Sequence, residues 1–363
     1  MADEAKTIGP ADLRAAVASG LVSEAQAAGI AALAHDRAGK RAALASEDEP
    51  FEFFRGFAEI FIAAGLSILL AGIALLLTIV GGVTMLIAIP AILAGIAWWM
   101  AGYFTLKRRM NLPSMVLVGA FAGGIYVSAL TFLGQSAMGL RGVAFTAAAI
   151  TALAVALWFR RFKLPFAMFV LGLFALLATY ALFTRYNPGS DFGSVEGWAR
   201  TFVPRANLSL ASLVFGVAAF CGAMWFDLQD PHRIGRYSAT AFWLHLLAAG
   251  ALVNTIAGNL YAGGGVGRIL PTAAALAVFA LIALVIDRRS MLTAGIAYIA
   301  ALIYWAVAGE GRASMHDWAT ILILLGLFFT VLGTWWVQLR SALMRMLPDF
   351  PGKDRLPPYS ETP

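Results

Sequence analysis

Apolar runs of about 20 residues recur along this chain, and each has the length needed to cross the ~30 Å hydrocarbon core of a bilayer. They fall near 57–79, 83–105, 113–134, 141–159, 164–183, 207–226, 237–256, 268–286, 291–307 and 317–338. Lipid offers no water to backbone N–H and C=O groups, so each run must satisfy them internally as a helix. Of the 363 residues, 61% are hydrophobic and 13% charged, against roughly 45–50% and about 25% in soluble domains. Apolar surface in that excess belongs against lipid. The expected fold is all-α: a polytopic membrane helix bundle of about ten transmembrane helices. Pro113 and Pro165 open the third and fifth spans, where a missing N–H costs little.

Basic residues set a direction through the positive-inside rule. Arg141, Arg185, Arg200, Arg205, Arg268 and Arg312 fall in the loops on one side, and the other twenty of the 26 Lys and Arg residues fall on the opposite side with both termini. Ten spans with both ends cytoplasmic follow from that alternation. Trp98, Trp99, Trp158, Trp225, Trp335 and Trp336 lie near the inner ends of even-numbered spans, where amphipathic rings settle at headgroup depth. The loop 184–206 is expected outside, with a short interfacial helix over 194–203. The net charge of +6 is spent on span ends, which excludes a nucleic-acid surface. The N-terminus lacks the basic and apolar regions of a cleaved signal.

Residues 1–50 read as a small cytosolic helical hairpin and linker. Pro10 can open a helix and Gly20 close it, and Ser23 with Gln26 makes a capping box for a second. Such a hairpin is too short to own a core, so it must dock on the membrane domain or on a protein partner, or move. Residues 51–340 carry the ten spans. Residues 341–363, rich in proline, are expected to be a cytosolic and mostly disordered tail.

The segments LRAAVASGLVSEAQAAGI and FRGFAEIFIAAGLSILLAGIALLL, together with DPHRIGRYSATAFWLHLLAAGALVNTI, resemble stretches of uncharacterised bacterial multi-span inner-membrane proteins with a short cytosolic N-terminal helical segment. The resemblance implies location in a bacterial inner membrane and carries no chemistry.

His245 is the residue least at home in its run. It lies nine positions beyond Arg236, or roughly 13 Å along a helix, close to the middle of a ~30 Å core. On the same helical face, four before it and three, four and seven after it, lie Ala241, Ala248, Ala249 and Leu252, and small residues admit another helix. The imidazole is therefore expected to face protein, either as a proton-path or substrate-path group or as a neutral ring bonded across an interface. Asn254, nine residues further on, sits half a turn away from His245, and only a break near Gly250 would join the two. Gly119-x-x-x-Gly123 suits close helix packing. Beyond it, Tyr126, Ser128, Thr131 and Gln135 could line an outer vestibule or bond within their own helix. Glu59, Asp227 and Asp287 fall at inner span ends and read as boundary charges, with Arg55 and Glu59 as an i,i+4 pair. Cys221 lies in an apolar run, as an inert buried thiol would.

Other constellations are excluded. The four histidines, His35, His232, His245 and His316, are spread over different compartments, so no metal site follows. The glycines at 263–267 lack the strand-to-helix setting of a phosphate loop. No cofactor motif is present, and no serine, histidine and acid converge, so an enzyme is not expected. The candidate path residues are His245, Asn254, Tyr126 and Gln135. Ten spans divide five plus five, which would make the halves oppositely oriented, as in inverted-repeat transporters; Pro90 in the second span and Gly250 in the seventh would be its paired interruptions. Transport of a small molecule or ion is the leading expectation. The alternative is a non-catalytic membrane scaffold, sensor or assembly factor acting through its N-terminal helices.

Overall fold

A computed structural model describes residues 10–23, 57–183, 206–230, 236–261, 269–292 and 315–349, with a few isolated positions besides. The described elements are helical, and no strand occurs among them. In chain order they are α1 (Pro10–Ala18), α2 (Phe57–Ala101), a π-helical turn (Gly102–Lys107), α3 (Asn111–Leu133), α4 (Leu140–Phe162), α5 (Phe166–Phe183), α6 (Ala206–Asp227), α7 (Arg236–Tyr261), α8 (Ile269–Val285), α9 (Met315–Thr334) and α10 (Trp336–Met346). The loop 184–206, the interfacial helix expected over 194–203, the ninth run and Arg55 lie largely or wholly outside the described residues.

The chain divides into two units, Met1–Glu49 and Pro50–Pro363. In the first, α1 ends where expected. Gly20 adopts a left-handed φ of 72°, and Leu21 N–H and Gly20 N–H return to the Ala16 and Val17 carbonyls, which closes the helix with a Schellman motif. The capping box forms in both directions: Gln26 N–H donates to Ser23 Oγ at 3.2 Å and Ser23 N–H to Gln26 Oε1 at 2.9 Å.

In the second unit, α2 spans 45 residues, Phe57–Ala101. A straight helix of that length would measure about 65–70 Å. Yet Glu59, near its start, accepts hydrogen bonds from the N–H groups of Asn111 and Leu112 at 3.1 Å each. Leu66 and Leu70 also share one apolar cluster with Ala94 and Ala97. The chain must therefore double back within α2, and the two stretches Phe57–Gly81 and Ala88–Lys107, the second running on through the π-helical turn, are each long and apolar enough to cross a membrane. Asn111–Leu133, Leu140–Phe162, Phe166–Phe183 and Leu210–Asp227 meet the same test, giving six among the described residues. Large side chains along α2, such as Phe61, Ile68, Leu75 and Ile79, are exposed. A chain with this surface is a membrane protein whose helices face lipid.

Helix ends are closed by charged residues drawn from elsewhere in the fold. The first three residues of α3 are accounted for: Asn111 and Leu112 donate to Glu59, and Pro113 has no N–H. At the end of α5, Arg141 donates through Nε to the Ala181 carbonyl at 2.8 Å and through a second nitrogen to that of Leu182. Lys163 ends α4 at φ 51°, with its N–H on the Phe159 carbonyl. Asp287 follows α8 at φ 55°, with Arg288 N–H on Ala283 O and Asp287 N–H on Leu284 O, again a Schellman closure. Hydroxyls within the spans mostly return to the carbonyl four residues back, as Ser67, Thr78 and Thr151 do, which hides them from lipid.

One apolar cluster joins α2, α3, α4 and α5 around Leu117, Val118, Val155 and Trp158. A second joins α7, α8 and α10 around Ala249, Ala283, Met291 and Trp336. Between them, Phe215 and Ala219 of α6 and Leu247 and Ala248 of α7 pack on Phe169 and Leu173 of α5.

Several sequence expectations change here. Gly119 and Gly123 meet no neighbour within 4 Å, whereas a Cβ on Gly124 would overlap the Pro90 carbonyl oxygen and lie 3.0 Å from Ala94 Cβ. The close approach is thus one residue further along, because the face that meets α2 is set by the crossing and not by the GxxxG spacing. Trp158 and Trp336 are buried in the protein and Trp98 packs on the first cluster, while Trp99, Trp225 and Trp335 are exposed. Only half of the expected aromatic belt therefore faces outward. Cys221 is exposed on the flank of α6, since an all-round apolar span buries only the side that meets its neighbours. The boundary expected at residue 340 falls inside α10, which runs to Met346 and buries Trp336, Arg340, Ser341 and Met344 on one face.

Candidate functional site

The helices α6 and α7 form an antiparallel hairpin. A Cβ on Gly216 would press on Ala251 and Leu252, and one on Gly222 would touch Leu244. That register sets Asp227, the last residue of α6, beside the second turn of α7. Helical side chains tilt toward their own N-terminus. In an antiparallel pair this aims Asp227 into the bundle and His245 back toward the hairpin end, so the two meet. His245 Nε2–H donates to Asp227 Oδ2 at 2.7 Å. The ring is fully buried, with Phe220 edge-on at 5.7 Å.

Arg288, just past the end of α8, completes the cluster. Its Nη2 donates to Asp227 Oδ1 and its Nε to Oδ2 at 3.1 Å. The same Nη2 reaches the Ser238 carbonyl at 3.3 Å and Ser238 Oγ at 3.2 Å. Side-chain exposure is 1% for Arg288 and 14% for Asp227. A two-pronged guanidinium fork is the strongest pairing available to a carboxylate. With a neutral imidazole the cluster carries no net charge, which is the condition for holding ionised groups away from water.

A second network adjoins it. Trp336 Nε1–H donates to Asp287 Oδ1 at 2.8 Å, Arg340 Nε lies 3.7 Å from the same oxygen, and the Arg289 guanidinium stands 5.7 Å over the Trp336 ring. Asp287 and Arg288 are consecutive, so one turn ties α10 to the α6–α7 hairpin.

The four candidate residues do not converge. Asn254 belongs to a separate cluster farther along α7, because α7 passes through Gly250 without a break. There Asn254 Nδ2–H donates to Ser212 Oγ at 3.1 Å, and Ser212 Oγ lies 2.8 Å from Tyr180 Oη. Asn254 Oδ1 is buried and has no hydrogen-bond partner among the described residues. An unmet buried acceptor of that kind costs about 1–3 kcal/mol. Tyr126 packs on Phe174 with ring centroids 5.1 Å apart. Gln135 Nε2–H donates to the Thr131 carbonyl of its own helix at 3.2 Å and is exposed.

Asp227, Arg288, Ser238, Tyr180 and Ser212 escape the sequence reading. Asp227 looked like a boundary charge and Arg288 like an inside flank. The one available signal was the demand of a buried imidazole for a partner, with Asp227 a single hairpin away. No group of three or more His, Cys, Asp or Glu side chains suited to a metal occurs among the described residues. No family model, no curated protein and no solved structure matches this chain.

Proposed function

We propose that this chain is a ten-span protein of a bacterial inner membrane, with both termini cytoplasmic, that moves a small solute or an ion. It carries no enzymatic role in this reading. His245 and Asp227 are the titrating pair on its path, with Arg288 as counter-ion. The observation that carries the proposal is the buried His245–Asp227 hydrogen bond whose carboxylate is also held by Arg288. Ionisable groups inside a membrane bundle mark ion and substrate pathways by default. The carboxylate is shared between the Arg288 guanidinium and an imidazole that is neutral at rest; protonating His245 turns it into a second cation that competes with Arg288 for Asp227, and releasing either partner strengthens the grip of the other. The five-plus-five inverted arrangement rests on span count alone, because α7 is not interrupted at Gly250.

Purified protein in vesicles holding a pH-sensitive dye, under an imposed potential, tests this. Protein-dependent proton flux that is lost in His245→Gln and in Asp227→Asn supports the reading. Flux no greater than in empty vesicles, or unchanged in both variants, overturns it.

The scaffold reading keeps one observation in its favour: Leu21, beside the capped end of α1, is 79% exposed, as a docking residue would be. On that reading the Asp227 cluster only fastens α6, α7 and α8, and its variants melt early with no change in any flux.

A further inference from the structure

We infer that Tyr180, Ser212 and Asn254 form a binding site for a small monovalent cation. The site deepens the transport reading by naming the class of solute, and it rests on that reading for its role though not for its existence.

Three helices contribute one oxygen-bearing side chain each: α5 gives Tyr180, α6 gives Ser212 and α7 gives Asn254. Ser212 is fully buried and Asn254 is 9% exposed. Ser212 Oγ is the hub, 2.8 Å from Tyr180 Oη and 3.1 Å from Asn254 Nδ2. With Ser212 donating to Tyr180 Oη, Ser212 Oγ and Tyr180 Oη each keep a lone pair after these bonds. The Asn254 carbonyl oxygen has no hydrogen-bond partner among the described residues. A ligand that meets these oxygen lone pairs is electropositive.

The surroundings limit its charge. The described hydrogen-bond partners within the cluster are neutral, and a single positive charge can be shared among neutral oxygen dipoles more readily than a double one. An anion would need a cationic partner, and His245 lies nine residues back along α7, roughly 13 Å away. The two clusters thus sit on the same two helices, a neutral oxygen cluster toward one end of the bundle and a charged, proton-bearing one toward the other. That is the order a cation-and-proton exchange would use.

Thermal unfolding of the full chain in detergent tests the site. N-methyl-D-glucamine chloride is replaced stepwise by sodium, potassium or ammonium chloride at constant ionic strength. A saturable rise of the midpoint with at least one of the three is expected, and the three arms separate a bare metal ion from an N–H donor. Asn254→Ala should abolish the rise. Because that variant can fail to fold, Asn254→Asp provides the second arm: a carboxylate at the same position should tighten binding at least tenfold. No saturable response in the unaltered protein overturns the inference, as does a response left unchanged by either variant. Binding that persists while His245→Gln leaves proton flux untouched would sink the transport reading and spare the site. Flux without any cation response would do the reverse.

Discussion

His245 and Asp227 are 18 positions apart in the chain and 2.7 Å apart in space, joined across the α6–α7 hairpin, and Arg288 grips the same carboxylate from the turn that follows α8. Removing one member of such a buried set leaves an unpaired charge, whereas removing charge and counter-charge together does not. Asp227→Ala should therefore lose about 3–5 kcal/mol, and the double variant Asp227→Leu, Arg288→Met should recover most of it. Unfolding in a denaturant series in detergent gives both values. A double variant no more stable than the single one would show that the fork is not the main element of the cluster.

The crossing of α2 and α3 makes a sharper contrast. Gly124 has no room for a methyl group against the Pro90 carbonyl, and a backbone oxygen cannot swing aside, whereas Gly123 faces open space. Gly124→Ala should cost about 1–3 kcal/mol from overpacking, while Gly123→Ala should be near neutral or slightly stabilising through helix propensity. Side-by-side melting curves decide it; equal effects would contradict the crossing.

Glu59 caps α3 from another helix. Glu59→Gln keeps an acceptor but loses the charge that favours a helix N-terminus, an effect of about 0.3–1 kcal/mol. Glu59→Ala strands two amides and should cost about 1–2 kcal/mol. Amide exchange at Asn111 and Leu112 should quicken in the alanine variant before exchange elsewhere does. Uniform quickening would argue against a local cap.

The hold on α10 runs through Asp287, which accepts from the Trp336 indole while itself in a left-handed conformation that disfavours most side chains. Trp336→Phe keeps most of the packing and deletes the donor, for a loss of about 1 kcal/mol. Hydrogen exchange over Trp336–Met346 should rise selectively in this variant. Asp287→Gly removes the conformational penalty together with the acceptor, so it should free α10 while leaving the end of α8 intact.

The sequence by itself determined that the chain is built of apolar helices suited to a bilayer, and it placed several of their ends. Those properties are local: a helix forms where backbone groups must be paired within a segment, it starts near Pro113 or a capping pair such as Ser23 and Gln26, and it stops at Gly20. The tertiary structure alone decided which face of each helix is inside. A span that is apolar all round carries no stripe to read, so nothing in the string distinguishes Gly124 from Gly123, or the buried Trp158 from the exposed Trp99. The same holds for the charges. Arg288 and Arg340 count as flanking cations in the sequence, yet both are buried against acids, because helix register and crossing, set by long-range packing, bring Asp227 and Asp287 within their reach.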